Sequence, residues 1–184
     1  GFEELFPEAC AKCGKDTLHA FGPGTRKIAQ EVNVHFPKAR VAIADRDTVT
    51  LVANTMLESS SAGNLTFGST VDGGFDLTLN TAGVTALNAP VGLTVPLMSI
   101  TTDAQGSTQL NGATLTTVGA QTFNDPVTLL KDTTLDSTSS GDVSFNKTLD
   151  GAFALAVNTA GVTQFNDQVG ASQALTSITT DQAG

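Results

Sequence analysis

Residues 49–73 read VTLVANTMLESSSAGNLTFGSTVDG, and residues 127–151 read VTLLKDTTLDSTSSGDVSFNKTLDG. Continued to 106 and 184, the two stretches agree at about 30 of 58 positions, without a gap, at an offset of 78 residues. Agreement of that length without insertion marks a duplication, with copies at 49–126 and 127–184. Composition changes at the same boundary. The first 48 residues hold both cysteines, both histidines and seven of the nine Lys+Arg, whereas the repeats are written in Thr, Asn, Asp, Gly and aliphatics.

A shorter period lies inside the longer one. Phe67, Leu87, Phe123, Phe145 and Phe165 each precede an aliphatic by four residues: Val71, Val91, Val127, Leu149 and Val169. The steps are 20, 36, 22 and 20, and reading the 36 as two units gives a sub-repeat of about 20 residues. Around these anchors apolar and polar residues alternate, as in Leu65-Thr66-Phe67 and Val143-Ser144-Phe145, which is the period of a strand. Asp72-Gly73, Asp150-Gly151, Ala82-Gly83 and Ala160-Gly161 punctuate the strands with turn chemistry. Short strands at a fixed spacing, without a helical period, predict a parallel β-solenoid of about seven coils with aliphatics and Phe inside. An antiparallel sandwich gives no reason for a 78-residue repeat. Asn88, Asn124, Asn146 and Asn166 each follow an anchor and are expected to form a ladder from coil to coil, bonding side chain to backbone.

The motifs NTAGVT, SITTD and GAQTFNDPV, together with a Gly-x-(Leu/Val)-(Thr/Ser)-Phe pattern, resemble the strand repeats of large bacterial surface exoproteins. Among these are filamentous-haemagglutinin-like adhesins and autotransporter passenger regions. The likeness covers 49–184 and implies a non-catalytic structural or adhesive role, extracellular or at the cell surface. Implied partners are host or neighbouring-cell surfaces, or other copies of the rod through its ends.

Residues 1–48 read as a small α/β segment. Pro23-Gly24 marks a turn, Thr25 is a candidate N-cap, and Ile28, Val32 and Phe36 give an amphipathic helix that Pro37 ends. Val41-Ala42-Ile43-Ala44 reads as a buried strand. The helix is expected to pack over the first coil as a cap, since a solenoid end offers unpaired strand edges. Cys10 and Cys13 form half of a zinc site; a structural site normally brings a second Cys pair, and His19 and His35 have no usual finger spacing. Zinc is therefore a possible cofactor on two ligands only, and otherwise none is expected. The stretch with Cys10, Cys13, Gly14, the Gly22–Thr25 turn, the helix and the acidic-tailed strand resembles a fragment of primosomal protein N′, a replication-restart helicase. That resemblance implies a cytoplasmic origin for this segment and an alternative reading as a zinc- and DNA-binding helicase fragment. No phosphate-cradling GxxxxGK[ST] loop is present, so ATP-driven unwinding is excluded.

The net charge of −9 belongs almost wholly to the repeats, which hold eleven carboxylates against Lys131 and Lys147. Such a rod repels nucleic acid and anionic lipid. No apolar run approaches the length of a membrane span, and the lack of an initiating Met suggests a fragment. The repeats contain no Arg, His or Tyr, which leaves few groups for general-base work near neutrality, and no catalytic residue is expected. Asp72, Asp103, Asp150 and Asp181 sit at turns, where Asp serves the backbone. Thr78, Thr101, Thr102, Thr114, Thr116 and Thr117 are too irregularly spaced for a flat ice-binding array. Phe67, Phe75, Phe145, Phe153 and Phe165 are expected to be core wedges.

Overall fold

The structure, a computed structural model, describes residues 47–59 and 61–181. Every regular element among them is a strand, and every strand pair is parallel. The chain winds round a three-sided column, laying one strand on each face before climbing to the next coil. Coil one is β1 (Val49–Thr50), β2 (Thr55–Ser59) and β3 (Leu65–Phe67). Coil two is β4 (Val71–Asp72), β5 (Asp76–Thr81) and β6 (Val84–Leu87). In coil three isolated bridges at Val91 and Leu97 replace the first strand, followed by β7 (Ser99–Thr102) and β8 (Ser107–Leu110). Coil four is β9 (Thr114–Thr117), β10 (Gln121–Phe123) and β11 (Val127–Leu129), and coil five β12 (Thr133–Ser137), β13 (Val143–Phe145) and β14 (Leu149–Asp150). Coil six is β15 (Ala154–Thr159), β16 (Thr163–Phe165) and a bridge at Val169, and β17 (Ser177–Thr180) opens a seventh.

The faces follow from the pairing. The first face stacks β1, β4, Val91, β9, β12, β15 and β17; the second stacks β2, β5, β7, β10, β13 and β16; the third stacks β3, β6, β8, β11 and β14. On the second face Thr55 pairs with Leu77, Leu77 with Ile100, Ile100 with Gln121, Gln121 with Val143, and Val143 with Thr163. Those steps run from 20 to 23 residues.

The parallel solenoid expected from the sequence is thus the fold, with about six coils rather than seven. The difference has a specific origin. Leu87 lies on the third face and Phe123 on the second, so the 36 residues between them span five strand positions instead of two coils. Splitting that step in two made the coil too short. The small α/β segment expected over residues 1–48, with its capping helix, falls on residues 1–46 apart from its last two positions and so lies outside the described residues, as do Cys10 and Cys13.

The 78-residue repeat is not a whole number of coils either. β11 is the copy of β1 and lies eleven strand positions later, three and two-thirds coils on. Each element of the second copy therefore occupies a different face from its counterpart. β1 sits on the first face and its copy β11 on the third; β2 sits on the second and its copy β12 on the first; β3 sits on the third and its copy β13 on the second.

Inward side chains form columns. Val71, Val91, Leu115, Leu135 and Val157 climb the first face, all essentially inaccessible. Phe67, Leu87, Leu110 and Leu129 climb the third. On the second, Phe123, Phe145 and Phe165 stack ring on ring, with centroids 5.1 and 5.3 Å apart and planes within 15° and 4° of parallel. The parallel register at a strand spacing of about 4.8 Å sets that distance, so identical residues one coil apart must stack face to face. Phe67 and Phe145 are core residues as expected, while Phe75, Phe153 and Phe165 are partly buried against the core.

Candidate functional site

Many polar side chains of the column bind the neighbouring coil. Asn146 donates from Nδ2 to Oδ1 of Asn124 at 2.7 Å, and Asn166 donates to Asn146 at 2.7 Å. Asn124 ends that ladder on the carbonyl of Thr102 at 2.7 Å. The expected ladder exists, then, but its rungs between Asn residues join side chain to side chain. Asn88 stands outside it: it lies on the third face and accepts a longer bond, 3.4 Å, from Asn111.

Carboxylates and carboxamides at the corners do a second job. Asp72 Oδ1 accepts the backbone N–H groups of Thr94 and Val95 at 2.9 and 3.3 Å, and its copy Asp150 accepts those of Ser172 and Gln173 at 2.8 and 3.1 Å. Asn64 and its copy Asp142 accept from Val84 and Val162, both at 2.9 Å. Asp103 accepts from Thr81 N–H at 3.0 Å. These bonds satisfy N–H groups at corners and strand ends that the strand ladders leave unbonded, about 20 residues away along the chain. Turn chemistry accounts for an Asp at each place; the partner in the next coil is set by the stacking.

One carboxylate is different. Asp125 lies inside the corner between the second and third faces, accepting from Thr102 Oγ1 at 2.6 Å and from Thr108 Oγ1 at 2.8 and 3.0 Å. Burial pushes its carboxyl above the usual value, the two Thr hydroxyls pull it back, and the charge of Asp103 raises it again. Gln121 is equally enclosed: its Nε2 donates to Asp136 O at 2.9 Å, Thr117 Oγ1 at 3.1 Å and Leu115 O at 3.3 Å, while Oε1 has no partner. The sequence reading missed both residues. Gln121-Thr122-Phe123 alternates with Phe123 inward, so the period of two already places Gln121 inside.

Among the described residues no group of three or more His, Cys, Asp or Glu is placed to hold a metal. A small cavity lined by Leu87, Ala89, Gly112 and Leu115 has a volume of about 10 Å³, room for at most one water. Of the Thr residues noted in the sequence, Thr102 and Thr117 point inward, Thr78 and Thr101 lie on the second face, and Thr114 and Thr116 on the first. They do not share one plane. No helix among the described residues is long and apolar enough to cross a membrane.

The surface feature that stands apart is the corner loop between Val91 and β7. There Leu93, Val95 and Met98 are exposed, while Leu97 between them is buried and anchors the loop. Comparing the two copies residue by residue would have revealed it, because the second copy has Ala171, Gln173 and Thr176 at the same places.

No family model, curated protein or solved structure matches the chain.

Proposed function

We propose that the chain is a non-catalytic structural and adhesive rod, a piece of a bacterial exoprotein that works at the cell surface or after secretion. The observation that carries this reading is the use made of the polar side chains. Corner carboxylates such as Asp72 and Asp150, and the Asn124–Asn146–Asn166 ladder, are spent on holding one coil to the next. The likeness of the repeats to those of surface exoproteins supports the same reading. So does the advance of three and two-thirds coils per copy, which brings equivalent surfaces round to a new face. That geometry suits a spacer approached from every side better than a binder with one flat face. Its partners on this reading are host or neighbouring-cell surfaces, or further copies meeting end to end.

The experiment is retention of protein-coated beads on epithelial and bacterial cells under flow, with albumin-coated beads as the reference. Retention above the reference supports adhesion. Retention equal to it, together with salt-sensitive binding of single-stranded DNA, favours the helicase-fragment alternative instead.

A further inference from the structure

The duplication supplies an internal control for one surface. The loop Gly92-Leu93-Thr94-Val95-Pro96-Leu97-Met98 corresponds to Gly170-Ala171-Ser172-Gln173-Ala174-Leu175-Thr176. Both loops have the same skeleton. Gly92 and Gly170 take φ of 69° and 70°. Asp72 and Asp150 hold the two N–H groups that follow, and Gly73 and Gly151 each donate to the carbonyl of residue Val95 or Gln173 at 3.0 Å. The fold therefore builds the same loop with Ala171, Gln173 and Thr176 in place of the larger apolar side chains. In the first copy it instead carries Leu93, Val95 and Met98 at 61%, 47% and 45% exposure. Exposed apolar side chains cost solubility, and nothing in the backbone geometry requires them here.

The loop is also stiff. Besides the Asp72 bonds, Gly92 N–H donates to Val71 O at 2.7 Å and Met98 N–H to Phe75 O at 3.0 Å, and Pro96 fixes its own φ. A preorganised apolar knuckle loses little entropy when it docks. The copy that carries it is acidic: residues 49–126 hold five carboxylates and no Lys, Arg or His. Asp76, which accepts from Ser99 Oγ at 2.7 Å, borders the knuckle next to Phe75. A second copy of this acidic rod or an anionic lipid surface would meet like charge there.

We propose that the Leu93–Val95–Met98 knuckle is a docking element for a protein whose apolar cleft is bordered by Lys and Arg. Apolar contact supplies the affinity, and the field of the acidic first copy steers the basic rim into place. This goes beyond the reading of the rod as adhesive, because a rod of the same fold without the knuckle would still be a rod.

The test titrates the full chain with a synthetic amphipathic helix of Leu and Lys, and with its counterpart of Leu and Glu. The Leu/Lys peptide is expected to bind one site per chain, more weakly as salt rises, and the Leu/Glu peptide not to bind. Exchanging the loop for the second copy's residues (Leu93→Ala, Val95→Gln and Met98→Thr) should weaken Leu/Lys binding at least tenfold while leaving the melting temperature nearly unchanged. The reciprocal graft (Ala171→Leu, Gln173→Val and Thr176→Met) should raise the stoichiometry to two, and it keeps the test open if the first variant folds poorly. Unchanged affinity in the loop exchange, or equal binding of the Leu/Glu peptide, overturns the proposal. Dimerisation of the wild-type chain that the exchange abolishes overturns it too, by making a second copy the occupant. Bead retention that fails while peptide binding holds would count against adhesion alone.

Discussion

Phe67 and Phe145 are the same residue of the two copies, yet they lie on different faces of the column. Phe67 pairs with Leu87 on the third face, whereas Phe145 is stacked between Phe123 and Phe165 on the second. A sequence unit that serves equally on any face implies three sides with nearly the same internal requirements: an inward aliphatic or aromatic at alternate positions, and a corner built by Asx and Gly. The duplication could therefore be inserted without regard to the coil period.

Phe145 is buried at the middle of the Phe stack. Replacing Phe145 with Ala should cost about 3–5 kcal/mol of unfolding free energy, because the ring is buried and contacts a neighbour on each side. Phe145→Leu should cost much less, about 1–1.5 kcal/mol, since Leu87 and Leu110 fill the corresponding column on the third face. Urea unfolding followed by far-ultraviolet circular dichroism measures both.

Asn146 is the central rung of its ladder, donating to Asn124 and accepting from Asn166. Asn146→Ala removes both bonds and should destabilise by about 1–3 kcal/mol. Asn166→Ala, at the end of the ladder, removes one and should cost roughly half as much. Chemical denaturation of the two variants side by side checks the ratio.

Gly151 has a φ of 137°, and a Cβ there would stand 2.4 Å from the carbonyl oxygen of Leu129 one coil below. Gly151→Ala should lower stability by about 2 kcal/mol or more, through both the backbone conformation and the collision. Gly74 has no atom within 4 Å of its would-be Cβ, so Gly74→Ala should shift stability by no more than about 0.5 kcal/mol. Thermal melts of the two proteins distinguish a general intolerance of Ala from a contact between coils.

Asp125 gives the stack a pH dependence of known sign. Its folded pKa is raised above the ordinary 3.8, chiefly by burial. Its contribution to stability is therefore complete below 3.8 and is lost as pH rises through the raised folded value. Asp125→Asn keeps an acceptor for Thr102 and Thr108 without the charge. The stability of Asp125→Asn relative to wild type should rise as pH goes from about 3.8 towards neutrality. A difference independent of pH would show that Asp125 titrates alike folded and unfolded.

Much of this architecture was readable in the residues. The ungapped repeat, the alternation around Phe67 and Phe145, and the Asp-Gly turns gave a parallel solenoid with its core residues. Two features were hidden, for physical reasons. The coil length was hidden because the spacing from Leu87 to Phe123 crosses from the third face to the second, and because the 78-residue repeat is itself not a whole number of coils. The partners of Asp72, Asp125 and Asn146 were hidden because a side chain's bond one coil away depends on stacking register, which local turn chemistry does not encode. Asn111 escaped notice because Leu110, which precedes it, has Thr114 rather than an aliphatic four residues on. The knuckle was in plain view as Leu93, Val95 and Met98 against Ala171, Gln173 and Thr176, and needed only the copies to be compared for their differences.

Spin labels along one outward column of the second face test the stacked, parallel winding most directly. Met56 pairs with Thr78, Thr78 with Thr101, Thr101 with Thr122, Thr122 with Ser144, and Ser144 with Gln164. Labels at Met56 and, in turn, at Thr101, Thr122, Ser144 and Gln164 should lie about 10, 14, 19 and 24 Å apart, one strand spacing more for each coil. Distances that fail to grow coil by coil, as in a sheet whose neighbouring strands run in opposite directions, would contradict the winding and everything built on it.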